Sequence, residues 1–416
     1  LSKINEGDVS VDMKYLILGA GPAGLTFANQ LKQLGETSFL VVEKEKNAGG
    51  LCRSTIVDEK PFDIGGGHFL DALASEEVKE FLFQFMPQEE WNLFERDSRI
   101  DINGSMISHP IEANIWQMEI EQQVEYLKSI ALAGCNTSLK MPEKFVDWIY
   151  WKLGDKIAAE YMIPYNEKMF GAELNLLGTY WLDKLPNVSF EETLKSCLRK
   201  KPYGKQPGHA RFYYPVQYGY GELWRRMAER IKDNLICGST VQTIDFNMNR
   251  IILSDGKKFT AEKIITTIPW REFVELTGMP ENLREMLNEL KHTSVYTTYV
   301  QKNLNTSAHW IYYPEKSLSY HRILVRHNFC PGSRGYWTET NEDRFIKKTV
   351  GEESFYNKYA YPLNTIQKPV IMKKLLLWAK TKNVYGLGRW GEHQHYNSDI
   401  TVKKALELCV KLYEEK

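Results

Sequence analysis

Nowhere in the 416 residues does an apolar run approach the length of a membrane-spanning helix, and no segment has the pattern of a secretion signal. Net charge is absent as well. The 53 basic and 53 acidic residues cancel. That excludes the broad positive field required by nucleic acid or an anionic membrane surface, while leaving room for a local pocket around a phosphorylated ligand. Cysteine is sparse: Cys52, Cys135, Cys197, Cys237, Cys330 and Cys409 form no CxxC and have no histidine at ligand spacing. The pattern argues against a zinc site and a disulfide framework and for a reducing, cytoplasmic setting. Repeats, low-complexity tracts and linkers are missing too.

What is present is the composition of a globular protein long enough for two or three packed domains. Its 23 tyrosines and 11 tryptophans suit large ligand-contacting surfaces. Residues 1–12 show no periodicity and are expected to be a tail, with the fold starting at Met13. A short apolar strand over 15–18, a glycine turn, an amphipathic helix over 25–34 and a second strand over 39–42 make a βαβ unit. Residues 76–204 read as a mainly helical insert, with helices over 77–85 and 115–132. Strands return over 235–246, 250–253, 263–268, 294–300, 310–313, 321–325 and 384–387, and a helix over 399–413 closes the chain. The expected fold is α/β. A discontinuous Rossmann-like dinucleotide domain (13–75, 205–270 and 370–416) carries the insert and an antiparallel-sheet substrate region (271–369).

Gly19, Gly21 and Gly24 form GxGxxG, and Ala23 lies within it. The first two glycines let the backbone turn and approach a pyrophosphate, and the third lets the helix pack on the strand. The helix N-terminus offers free N–H groups to phosphate. Glu43, with Lys44 beside it, ends the second strand where an acid can take both ribose hydroxyls. The alternative is a plain glycine turn with a surface glutamate. Two further clusters point to FAD over NAD. One runs through Gly50, Leu51 and Ser54 to Gly66, Gly67 and His68; the other is Gly388-Arg389-Trp390-Gly391 before Asp399. Glycine runs after the second strand let the chain lie against a second, flat half of a long cofactor, and the tail offers another helix N-terminus. Read alone, the tail is equally a strand–turn–helix. Val241 completes the cofactor-contacting set. Gly219-Tyr220-Gly221 lacks a third glycine, which disfavours a separate NAD domain.

These stretches resemble the FAD-dependent superfamily of amine oxidases, protoporphyrinogen oxidases and UDP-galactopyranose mutases, and the mutases most. Gly49-Gly50-Leu51 to Thr55 and Phe62 to His68 are similar to the mutase GGLxST…DxGGH run, whose histidine sits beside the flavin. His109-Pro110 with Asn114, Tyr165-Asn166-Glu167-Lys168, Trp310 to Glu315 with Tyr320 to Ile323, and Tyr361-Pro362-Leu363-Asn364 are similar to further mutase segments. The resemblance implies Arg322 as a diphosphate-binding arginine and Tyr361 as a substrate tyrosine, with His68 beside them, and Asn114 and His395 in the substrate pocket. Where mutases carry an arginine after the closing motif, this chain has Gln394 between His393 and His395. A second family arginine near the insert has no clean counterpart; Lys184, Arg199 and Arg211 are the candidates.

The resemblance further implies an isomerase that uses reduced FAD for covalent catalysis on a nucleotide sugar, recharged by a diffusible reductant such as NAD(P)H. A metal, nucleic acid or a membrane has no part in it. Oligomeric state is left open, a homodimer included. Read without the family, Arg322 is equally a sheet-surface arginine, Tyr361 a turn tyrosine, and His68 a group that only fixes flavin geometry. A redox enzyme of the same superfamily and a flavin-binding scaffold therefore stay as alternatives.

Overall fold

The computed structural model describes residues 11–182, 189–204, 210–346 and 353–415. Lys184 and residues 1–10 lie outside the described residues. The βαβ unit is formed by strand Val11–Leu18, helix Pro22–Gln33 and strand Phe39–Val42, with Tyr15 paired to Phe39 and Leu18 to Val42 in parallel. Leu16, Ile17 and Leu18 are fully buried, as a parallel strand covered on both faces requires. Two boundaries differ from expectation. The first strand begins at Val11, inside the stretch expected to be a tail, because Val11 and Asp12 pair with Phe259 and Thr260. The helix begins at Pro22, three residues early, because proline has the helical φ ready-made and its missing N–H is one the first turn does not use.

These strands belong to an eight-stranded sheet. Its order is Leu235–Ile236, Phe39–Val42, Val11–Leu18, Lys258–Thr266, Arg250–Leu253, Val241–Asp245 and Glu275–Thr277, with Val384–Gly386 also pairing to Lys258–Thr266. Helix Ser398–Glu414 packs on Pro22–Gln33, and Tyr15 donates its hydroxyl to the Leu412 carbonyl at 3.2 Å. A seven-stranded sheet runs Ser354–Pro362, His292–Val300, Tyr336–Asn341, Arg322–Leu324, Trp310–Tyr312, Ser98–Ile102 and Ser105–Ser108. A three-stranded sheet joins Leu70–Asp71, Arg211–Pro215 and Trp91–Glu95, and Ser54–Val57 pairs with Lys60–Asp63.

The expected helical insert is only partly helical. Its residues 91–108 form three strands, because Ser98–Ile102 alternates buried and half-buried positions. Asn103 and Gly104, both at positive φ, then make the two-residue hairpin turn. The helix expected over 115–132 is split into Ile115–Gln117 and Ile120–Ala131, with extended backbone at Met118 and Glu119. Two further segments change sheets: Arg211–Pro215 leaves the dinucleotide sheet, and Glu275–Thr277 joins it parallel to Val241–Asp245. Helix Phe145–Ile157, broken by non-helical backbone at Gly154 (φ 74°, ψ 170°), continues through a π turn, Ala158–Met162, into helix Ile163–Phe170. Pro164 lacks the N–H that would close the turn before it, and the wider turn absorbs the loss.

Candidate functional site

A cavity of about 430 Å³ lies between the glycine turn of the βαβ unit and the edge strand Ser354–Pro362 of the seven-stranded sheet. Ten of the residues expected to contact a cofactor line it: Gly19, Gly21, Ala23, Glu43, Lys44, Gly50, Leu51, His68, Val241 and Arg389. The cradle fits a dinucleotide. A Cβ on Gly50, at φ +55°, would stand 3.1 Å from the Cα of Gly21, so two backbones meet there with no side chain between them. Glu43 is buried, and its carboxylate accepts from the Ala20 N–H at 2.7 Å and the Glu45 N–H at 2.9 Å. These bonds fix the acid at the cavity wall and leave lone pairs for ribose hydroxyls.

Gly24, Ser54, Gly66, Gly67, Gly388 and Asp399 are not part of this lining. A Cβ on Gly24 would lie 2.0 Å from the Gly19 carbonyl oxygen, so this glycine packs helix on strand. Ser54 accepts from the Gly221 N–H at 2.7 Å and donates to Asp63 at 2.5 Å. Gly388 packs on Ala23 and Thr401, and Asp399 lies in the first turn of the closing helix. At Gly66 and Gly67 the space a side chain would need is taken by the seven-stranded sheet. A Cβ on Gly66 would meet Glu339 Oε1 at 2.4 Å and one on Gly67 would meet Leu324 Cδ2 at 2.3 Å. Their glycines admit side chains of the seven-stranded sheet.

His68 is the link. Its Nδ1 lies 3.2 Å from the Gly66 carbonyl, the geometry of a donor, which leaves Nε2 as the acceptor. Burial, and then the charge of Arg389, press its pKa down to about 4, so the ring is neutral at physiological pH. One residue earlier, the Gly67 N–H donates to Glu339 at 3.2 Å. Glu339 receives Arg322 as well: Nε donates to Oε2 at 3.0 Å, with a second bond from the guanidinium to the same oxygen. The Arg322 guanidinium also donates to the Tyr361 hydroxyl at 3.4 Å. Register explains the convergence. Tyr312, Arg322 and Glu339 are directly paired across three neighbouring strands and so share one face. Burial alone would raise the Glu339 carboxyl, but Arg322 and His321 outweigh it and hold it down at about 2.

Around this pair the Tyr165 ring lies 5.4 Å from Tyr312 and 5.6 Å from Tyr161, and His395 lies 5.0 Å from Tyr361. Arg96 donates to the Tyr312 hydroxyl at 2.8 Å. Arg322, Tyr361, His68 and His395 are therefore drawn together as expected, on the flank of the cavity. Asn114 is buried and donates to the Pro110 carbonyl of its own turn at 2.9 Å. His393, on the other side of Gln394, turns its Nε2 to the Lys291 carbonyl at 2.9 Å. Gln394 accepts from buried Lys368 at 3.1 Å. Arg199 is exposed against Tyr203, and Arg211 is 54% exposed beside Glu95, so neither is positioned to supply the missing arginine. Arg389 reaches the cavity wall but donates to the carbonyls of Ala360 and Tyr396.

Sequence reasoning missed Glu339 and Tyr312, whose only signal was their spacing from Arg322 on neighbouring strands. It also missed the far wall, Thr267 to Pro269 and Tyr356 to Tyr359. Among the described residues no helix is long and apolar enough to cross a membrane, and no group of three histidine, cysteine or acidic residues could hold a metal.

A family model described as an NAD(P)-binding Rossmann-like domain matches residues 17–85. Among solved structures, reduced UDP-galactopyranose mutase superposes with a TM-score of 0.86, covering 98% of this chain and 95% of the other at 20% identity. A CLA-producing fatty acid isomerase from P. acnes gives 0.65 at 13% identity, covering 98% and 100%. Putrescine oxidase bound to putrescine gives 0.60 at 13% identity, covering 97% and 100%. The chain thus has the α/β fold these enzymes share, built on a Rossmann-like dinucleotide module, as the sequence implied.

Proposed function

We propose that this chain is a flavoenzyme that holds FAD in the cavity and interconverts the pyranose and furanose forms of a UDP-galactose-like nucleotide sugar. The observation that carries the reading is one residue wide. Gly67 hydrogen-bonds the carboxylate that holds Arg322, and the next residue, His68, lines the cavity. In this reading Arg322 is the cation for a leaving diphosphate, one strand face away from the residues that line the cavity. When bound, a reduced flavin supplies a nucleophilic nitrogen for the anomeric carbon.

The chain's own residues do the rest. Arg322 stays charged and offers a planar donor fork to phosphate oxygens. Tyr361 remains a neutral phenol, since burial and then Glu339 push its pKa up to about 12, and it can donate to the same group. His68 is neutral, with its one N–H turned to the Gly66 carbonyl, so its Nε2 can accept a hydrogen bond and the ring is no general acid at pH 7. A diffusible donor such as NAD(P)H recharges the cofactor, nucleic acid and membranes are not partners, and the setting is cytoplasmic.

A second reading, an FAD-dependent oxidoreductase of the amine oxidase type, draws support from the charge balance. Glu339 already neutralises Arg322, and Tyr165, Tyr312 and Tyr361 surround the pair. The deciding experiment is anaerobic reduction with dithionite followed by UDP-galactose. Isomerisation by the reduced protein but not the oxidised one supports the mutase. Flavin reduction by an amine without sugar turnover would replace it with the oxidoreductase.

A further inference from the structure

Glu272 ends the short helical turn Trp270–Glu272, just past the strand Lys258–Thr266 at the centre of the dinucleotide sheet. Its carboxylate reaches in two directions. On its own side it accepts from Lys44 Nζ at 3.3 Å, immediately after the ribose-side acid Glu43. On the other side it accepts from Lys358 Nζ at 2.8 Å and from the Tyr359 hydroxyl, both on the edge strand Ser354–Pro362 of the seven-stranded sheet. All four residues line the dinucleotide cavity. Their exposures locate them within it. Lys44 and Lys358 are 49% and 53% exposed and Glu272 24%, whereas Cys52 and Trp390 on the same lining are buried. The bridge therefore crosses the mouth and not the floor.

Tyr359 is braced for this work, its ring 4.5 Å from His292 and 5.1 Å from Trp390. Two residues further along the same strand, Tyr361 contacts Arg322, so the strand that closes the cavity also carries part of the site beside it. Burial would raise the Glu272 carboxyl, but Lys358, Tyr359 and Lys44 together hold it at about 2, so it stays ionised throughout the physiological range. The half-exposed lysines leave it open to screening, whose range falls from about 8 Å at physiological ionic strength to about 3 Å at 1 M.

We propose that the Lys44–Glu272–Lys358 bridge, with Tyr359, is a strap across the cavity mouth that must part for the dinucleotide to enter or leave, so that ionic strength sets the exchange rate. Only the identity of what is exchanged rests on the flavin reading above. The test loads the full chain with FAD and follows release after dilution by the recovery of free FAD fluorescence, at low salt and at 1 M salt. Wild type should release FAD about two- to fivefold faster in high salt, the range expected for one exposed ion-pair system. Glu272→Gln should release at the fast rate in both conditions, and Lys358→Met should fall between. Release by wild type that ignores salt, or a Glu272→Gln protein with wild-type rates and wild-type salt response, would overturn the strap. Should Glu272→Gln fail to fold, Lys358→Met decides alone, and an unchanged rate overturns the proposal. A wild-type chain that takes up no FAD sinks the flavin reading together with this use of the strap, an outcome distinct from salt-blind release.

Discussion

The Nε of Arg322 donates to Glu339 Oε2 over 3.0 Å, with the Glu339 side chain 1% exposed and that of Arg322 20% exposed. An ion pair this deep costs desolvation on both sides, and its main effect is to forbid either partner from standing alone. Glu339→Gln should therefore destabilise the chain by about 3–5 kcal/mol, and Arg322→Met by a similar amount. The double variant should cost less than the sum of the two, by roughly 1–3 kcal/mol, because it leaves no orphaned charge. Urea denaturation of the four proteins measures the coupling; strict additivity would show that the pair is not a unit.

Gly66 gives a test of the loop that joins the ion pair to the cavity. At φ +89° with Glu339 Oε1 2.4 Å from where a Cβ would sit, Gly66→Ala faces both backbone strain and a clash. Gly35, at φ +82° with nothing within 4 Å, faces the strain alone. Gly35→Ala should cost about 1–2 kcal/mol, and Gly66→Ala distinctly more. Equal melting temperatures for the two variants would mean the Gly66–Glu339 contact is not tight.

Glu112 predicts a pH effect of opposite sign to that of His68. Burial raises the Glu112 carboxyl to about 7, above its ordinary 4.5, so the folded state holds a proton that the unfolded state has lost. Stability then falls as pH rises from about 4.5 to about 7, by at most about 3 kcal/mol, and stays down above it. Glu112→Gln should raise the melting temperature at pH 8 and leave it nearly unchanged at pH 4.5.

His68 lies the other way. Its folded pKa of about 4 is below the ordinary 6.5, so the unfolded chain takes the proton first, and stability is lost as pH falls from 6.5 towards 4. His68→Gln should flatten part of that acid loss. A histidine signal that titrates near 6.5 in the folded protein by NMR, and disappears in this variant, would contradict the buried, neutral ring.

The dinucleotide half was legible because each signal is local. Gly19, Gly21 and Glu43 lie within one βαβ unit, where backbone conformation dictates residue type. Arg322 and Tyr361 were reached through resemblance, since nothing local separates a ligand arginine from one on a sheet surface. Glu339 stayed hidden because its role depends on register between strands distant in sequence. Gly66 and Gly67 stood out by residue type alone, because a glycine signals close approach without saying what approaches. Residues 91–108 were lost to an over-wide helical window, although Asn103-Gly104 between alternating residues was the available hairpin signal.

The claim on which the rest depends is that the glycine cradle of Gly19, Gly21 and Gly50 takes up a flavin nucleotide. Equilibrium dialysis of the purified chain against FAD, followed by an absorption spectrum of the retained protein, measures this directly. One bound FAD per chain with a perturbed flavin spectrum, abolished by Gly21→Leu, is the outcome that agrees. A colourless wild-type protein that retains no FAD would refute it.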